Sequence, residues 1–159
     1  MQSGGFEAPQ LELPGVVPAQ LNVVTLGARD LSIMRDFYNA LGWRIAAEAE
    51  DFCGFELRGA VLALFPWEKL AADGNAEPAS PQTGMRGFTL AITVDYPEQV
   101  DEIIAEVERA GGRVSKPPTV PEEFEGRHAY FADPEENYWE VAYSAGDGPM
   151  MQAIRRATG

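Results

Sequence analysis

Apolar and polar positions alternate from Val23 through Val24, Thr25 and Leu26, a two-residue period that predicts a strand. The period then changes. Asp30 stands where an N-cap side chain accepts from free backbone N–H groups. Leu31, Met34, Phe37, Tyr38 and Leu41 follow at helical spacing, and Gly42 ends the helix at the position where a left-handed backbone is wanted. Strands are predicted over residues 43–47, 52–57 and 60–65, the last two joined by a two-residue turn at Arg58-Gly59. Roughly 65 residues further on the plan recurs. Residues 88–94 alternate as a strand, and Pro97 opens a helix with Glu98, Asp101 and Glu102 near its positive end. Val100, Ile103, Ile104 and Val107 form the apolar stripe of that helix, and Gly111-Gly112 closes it. Strands follow over residues 113–115, 127–132 and 138–143, with residues 133–137 as the turn between the last two.

An order of βαβββ, met twice, is an internal repeat. It predicts an α+β protein of two modules, residues 21–69 and 87–144. Neither helix can bury its stripe without its own sheet. Two modules side by side are expected to curve their sheets into an open, cupped, mixed β-sheet barrel, with the helices on the outer face and a cavity on the other. Outside the modules, residues 1–20 are rich in Gly, Pro and Gln and read as a flexible arm. Residues 70–86 read as a linker, and residues 145–159 as a tail whose end, over 150–157, forms a short helix carrying Arg155 and Arg156.

Composition narrows the function classes. With 12 basic against 25 acidic residues the net charge is −13, which opposes binding to nucleic acid or to an anionic membrane surface. The single cysteine, Cys53, permits no internal disulfide and fits a reducing, cytoplasmic setting. No basic start with an apolar stretch marks a signal peptide, and the longest apolar run, from Ala60 to Trp67, is far short of the roughly 20 residues of a membrane span. No P-loop, dinucleotide fingerprint, zinc-finger spacing or nucleophile elbow is present.

Strand period also assigns faces. Val24, Leu26, Leu62, Leu64, Leu90, Ile92, Trp139, Val141 and Tyr143 should lie under the helices. Val23, Thr25, Val61, Ala63, Phe65, Thr89, Ala91, Thr93, Glu140 and Ala142 should face the cavity, and the Arg58-Gly59 turn adds Phe52, Gly54 and Glu56. Phe52, Phe65 and Trp67 make an apolar wall for a flat ligand, or ordinary core filling. Glu140 is a carboxylate on an inward strand position, costly there without a partner. It reads either as a structural group or as a ligand anchor or general base. A symmetric turn sets Tyr130 opposite Glu140 and His128 opposite Ala142, which makes a Glu/Tyr/His cluster; the plainer expectation for His128 is a solvated strand end. Cys53 falls on the helix side, with no base beside it, and is expected to be an inert core thiol.

Three stretches resemble the vicinal oxygen chelate superfamily, which includes glyoxalases, bleomycin resistance proteins and extradiol dioxygenases. They are Val24-Thr25-Leu26-Gly27 with Asp30-Leu31, Phe37-Tyr38 and Leu41-Gly42-Trp43; Val100-Asp101 through Ala110-Gly111-Gly112-Arg113-Val114 and Lys116-Pro117-Pro118; and Tyr130-Phe131-Ala132-Asp133-Pro134 with Asn137-Tyr138-Trp139-Glu140-Val141. The resemblance covers about residues 21–144. It implies paired βαβββ modules, often a homodimer, and a cavity whose metal is held from four positions, here Val23, Ala63, Thr89 and Glu140. Val and Ala have no donor atoms and Thr is a poor ligand, so neither metal nor cofactor is expected. The expectation is a protein that binds a small organic molecule without metal, through Phe52, Glu56, Phe65, Trp67, Thr89, His128, Tyr130 and Glu140. The alternatives are a metal-independent enzyme with Glu140 and Tyr130 as catalytic groups, and a metal-dependent glyoxalase-like lyase or dioxygenase. One departure is Glu136, where the family usually has Gly in a turn that calls for positive φ.

Overall fold

The computed structural model describes residues 16–80 and 84–159. Residues 1–15 of the expected arm and 81–83 of the expected linker lie outside the described residues. The first module runs β1 (Val23–Ala28), α1 (Leu31–Ala40), β2 (Ile45–Ala49), β3 (Phe52–Glu56) and β4 (Val61–Pro66). A short helix, α2 (Trp67–Asp73), follows and takes the first residues of the stretch read as linker. The second module runs β5 (Leu90–Thr93), α3 (Pro97–Arg109), β6 (Arg113–Thr119), β7 (Gly126–Ala132) and β8 (Tyr138–Ser144), and α4 (Pro149–Thr158) ends the chain. The strand orders, β1-β4-β3-β2 and β5-β8-β7-β6, are the same, and in each sheet the first strand joins parallel to the last while the other pairs are antiparallel.

The local signals act as their chemistry requires. The Asp30 carboxylate accepts from the Ile33 N–H at 3.1 Å and caps α1. Gln99 Oε1 reaches back to the backbone N–H groups of Asp95 and Tyr96 at the start of α3. Gly42 (φ 86°) and Gly111 (φ 97°) end the two long helices in the left-handed region. Two strands differ from the period. The second strand starts at Ile45, not Trp43, because Trp43 turns inward to stack on Tyr38 with centroids 5.3 Å apart. β6 runs on through Pro117-Pro118 with an irregular register, which only an edge strand tolerates because proline donates nothing to the ladder.

One core serves both modules. Leu26, Leu62, Leu64, Cys53 and Phe55 of the first sheet and Ala129, Phe131, Trp139 and Val141 of the second meet in a single buried cluster with Met34, Phe37 and Tyr38 of α1 and Val100, Ile104 and Val107 of α3. Phe131 and Trp139 stack at 6.1 Å and 2°, and Trp43 meets Trp139 edge-on. Gly112 has to be glycine for this closure: a Cβ there would lie 2.5 Å from Val107 Cγ1 and 3.0 Å from the Phe37 ring. The faces turned to this core are those assigned by period. The opposite faces, carrying Val23 and Thr25 on one sheet and Ala91, Thr93 and Glu140 on the other, therefore point away from it.

Polar groups lock the modules together. The Tyr38 hydroxyl donates to Asp133 Oδ2 at 2.6 Å and accepts from Trp139 Nε1 at 3.0 Å. Asp133 also accepts from the backbone N–H groups of Glu135 and Asn137 and from Asn137 Nδ2. The Glu135 carboxylate accepts from the N–H groups of Arg29 and Asp30, so the β7–β8 turn of one module caps the helix entry of the other. In that turn Glu136 sits at φ 66°, the left-handed conformation expected for a family glycine. Its carboxylate holds Arg113 at 2.8 Å and the Tyr138 hydroxyl at 3.1 Å. Relief of strain at an L-residue outweighs these exposed contacts, so Glu136→Gly is expected to gain up to about 1 kcal/mol in chemical denaturation.

Candidate functional site

The ladder builds the site on the outward face of the second sheet. Register places Lys116, Tyr130, Glu140 and Ala91 in one row across the four strands, and Thr119, His128, Ala142 and Thr93 in the next. Tyr130 is opposite Glu140 and His128 opposite Ala142, as the symmetric turn required. Two side chains then converge on one carboxylate oxygen of a third. Glu140 Oε2 accepts from the Tyr130 hydroxyl at 2.8 Å and lies 3.0 Å from His128 Nδ1. Glu140 Oε1 has no protein partner among the described residues, and the side chain stays partly open to solvent.

His128 is not the solvated strand end that its place beside a charged loop suggested. It is 4% exposed. Phe124 packs edge-on against its ring at 5.8 Å and Tyr130 does so at 5.6 Å from the other contact. Gly126 permits this cover: a Cβ there would lie 2.9 Å from the Phe124 ring and 2.0 Å from the Tyr143 carbonyl oxygen. Phe124 and Lys116 were not found from the sequence. Phe124 lies in an aperiodic loop, and Lys116 belongs to a strand broken by prolines; only the glycine at 126 hinted at a close approach there. His128 Nε2 is buried and has no hydrogen-bond partner among the described residues. In the tautomer that places the proton on Nδ1, facing the carboxylate, Nε2 is left as an acceptor.

Burial and the Glu140 hydrogen bond push the Tyr130 phenol up to about 12, so it is a proton donor across the neutral range. Burial and Asp133 push Tyr38 up as well. The folded state keeps these protons where unfolded tyrosines, near ~10, have lost them, so stability falls as pH rises from there toward ~12. Tyr130→Phe should flatten that alkaline slope in denaturation curves and remove one late-ionising phenol from a spectrophotometric titration.

The first sheet presents a different chemistry on its outward face. Val23, Thr25, Val61, Ala63 and Gly54 share that face by register, flanked by Phe52 and Phe65. Phe52 lies against Gly54, whose Cβ position is 3.3 Å from the ring. Trp67 of α2 folds over the end of this face at Gly27, where a Cβ would meet its ring at 3.0 Å. Within one chain the wall of Phe52, Phe65 and Trp67 and the Glu140 cluster are thus on opposite sides of the shared core, not in one cavity. Glu56 makes an ion pair with Arg44 and borders a cleft of about 970 Å³ between the modules, beside Leu41, Trp43, Leu57, Ile92 and Ile103. Thr89 precedes β5, and Ala91, not Thr89, lies beside Glu140. Cys53 is buried, and its burial raises the thiol pKa, as an inert core thiol requires.

Of the four positions at which the resemblance sets metal ligands, only Glu140 carries a strong donor. These residues do not fit a transition metal, which wants about three or more protein ligands. Among the described residues no group of three or more His, Cys, Asp and Glu side chains is placed to hold an ion.

Twin βαβββ units sharing one core, with matching sheet orders, place the chain in the class of paired-module α+β proteins. The sequence model of the Glyoxalase/Bleomycin resistance protein/Dioxygenase superfamily matches residues 20–141, and the chain belongs to that superfamily. Among solved structures it is similar to a glyoxalase-related enzyme from Fulvimarina pelagi, at 27% identity and a TM-score of 0.73 over 82% of this chain and 94% of that one. A glyoxalase/bleomycin resistance protein/dioxygenase from Nocardioides shares the fold at 22% identity and a TM-score of 0.72, over 86% and 91% of the two chains. A lactoylglutathione lyase from Agrobacterium tumefaciens shares it at 22% identity and a TM-score of 0.60, over 79% and 94%. No curated protein matches the chain significantly. No described helix is long and apolar enough to cross a membrane.

Proposed function

We propose that this chain binds a small organic molecule on its open sheet faces without a transition metal, with Glu140 as the polar anchor. The observation that carries the reading is the three-way contact at Glu140 Oε2, which fixes the carboxylate through Tyr130 and His128 and leaves Oε1 for a ligand donor. An anchor needs such a held carboxylate, and a charged acceptor gives a hydrogen bond about twice as strong as a neutral one. The ligand set supports the metal-free reading, since Val23 and Ala63 offer no donor atoms.

The working unit is a homodimer in the cytoplasm. Parts of each outward sheet face are open in the single chain, and Val23 on the edge strand β1 is 50% exposed. β1 and β5 each pair on one side only. An edge strand with an open apolar face is stabilised when a second copy covers it. Such pairing sets the Phe52 and Phe65 wall of one copy against the Glu140 cluster of the other.

A ligand screen by thermal shift on wild type and Glu140→Gln tests the anchor, with metal content measured on untagged protein prepared without chelator. Hits bearing a hydrogen-bond donor are expected to bind Glu140→Gln about tenfold or more weakly. Equal binding to both proteins makes Glu140 structural, and near-stoichiometric metal overturns the metal-free reading. A second reading has one specific support: Glu140 keeps Oε1 unpartnered among the described residues and partly open to solvent while Tyr130 and His128 hold Oε2, the arrangement of a positioned general base. Turnover of any hit that is lost in Glu140→Gln while binding survives selects this metal-free enzyme.

A further inference from the structure

We infer that Arg29 and Arg86 form an anion-binding end to the apolar face of the first sheet, where they take the carboxylate or phosphate group of a small ligand. The inference rests on the reading that the sheet faces bind a small molecule, and adds its charge. Both guanidinium groups stand over one indole: Arg29 Cζ is 4.9 Å and Arg86 Cζ 5.4 Å from the Trp67 ring centroid. Trp67 itself lies against Gly27, in the ladder row of Phe65, so the two cations mark the end of the Phe52 and Phe65 face.

Among the described residues seven of the twelve Lys and Arg side chains pair with a carboxylate, and Arg29 and Arg86, the two that share one ring, are among the five that do not. Acidic residues outnumber basic ones by 25 to 12, and Arg35, Arg44, Arg109, Arg113, Arg127 and Arg155 each pair with a carboxylate. Neither Arg29 nor Arg86 does so among the described residues. The carboxylate of Glu135, bound to the backbone N–H groups of Arg29 and Asp30, is committed to the helix entry. Among the described residues Arg86 is held by neutral acceptors, the Glu135 carbonyl oxygen and Asn137 Oδ1, both at 2.8 Å, and its buried Nη1 has no partner there. Two like charges on one ring repel, and a partly desolvated guanidinium without a counter-ion is costly. An oxyanion bound at the exposed Arg29 offsets the repulsion between the two charges. Arg29, which is exposed, supplies the direct hydrogen bonds, and Arg86 is a positioning residue that supplies charge.

The test is calorimetry and Trp fluorescence on the full chain with benzoate, inorganic phosphate and, as the neutral counterpart of benzoate, benzyl alcohol. Saturable binding of benzoate, of phosphate or of both is expected, and the stronger of the two identifies the group. Arg29→Gln should weaken that binding about tenfold, with Arg29→Lys between, and weaken the uncharged benzyl alcohol far less. Benzoate held equally by wild type and Arg29→Gln overturns the inference, as does absence of saturable binding for either anion. Benzyl alcohol bound alike by both proteins in those cases leaves the small-molecule reading standing while the anionic one falls.

Discussion

Asp133→Ala is expected to cost about 3–5 kcal/mol of folding stability, because it leaves several buried donors without an acceptor at once. Asp133 is 3% exposed. Its two oxygens receive the Tyr38 hydroxyl at 2.6 Å, Asn137 Nδ2 at 2.7 Å and the N–H groups of Glu135 and Asn137 at 2.9 and 3.0 Å. No water reaches most of these groups to replace the carboxylate. The loss also reaches across the module boundary, since Tyr38 is on α1 and the turn that Asp133 starts holds Glu135 against the entry of the same helix. Urea denaturation measures it, with Tyr38→Phe as the companion. That variant removes one donor to Asp133 and the acceptor of Trp139 Nε1 but keeps the ring, so it should cost about 1–3 kcal/mol. A loss below 1 kcal/mol for Asp133→Ala would mean that the turn is not the lock between modules.

Phe131→Ala should be of similar size, about 3–5 kcal/mol, through lost transfer energy and the cavity left behind. Phe131 is fully buried, stacks on Trp139 and tilts against the Phe37 ring at 6.5 Å. It joins β7, β8 and α1, and it follows Tyr130, whose hydroxyl holds Glu140 on the other side of the sheet. The truncation is therefore expected to loosen the site as well as the core, giving weaker ligand binding in the folded fraction. Phe131→Leu, which fills most of the volume, should recover more than half of the stability. Equal losses for Ala and Leu would show that ring stacking, not volume, is what the core requires.

The sequence by itself determined the repeat, the faces and the pairing across the two tight hairpins. Period two put Glu140 on one face and Trp139 and Val141 on the other, and a symmetric turn of residues 133–137 fixed Tyr130 as its neighbour. These relations are local, since residues a few positions apart on a hairpin have no freedom to disagree once the turn is set. Gly42 and Gly111 marked left-handed helix ends for the same reason, Glu136 was marked through the resemblance, and Asn75, also left-handed, was not marked. What only the tertiary structure decided lies beyond that range. The burial of His128 depends on Phe124 folding back from a loop without period. The helix of α2 and the convergence of Arg29 and Arg86 on Trp67 join residues far apart in the chain, with no pattern to announce them. The choice of which faces meet was also tertiary. A strand period says which side of a sheet is apolar, but not which neighbour will cover it. Here both helix-bearing faces share one core, so the aromatic wall and the Glu140 cluster look outward on separate sides of the chain.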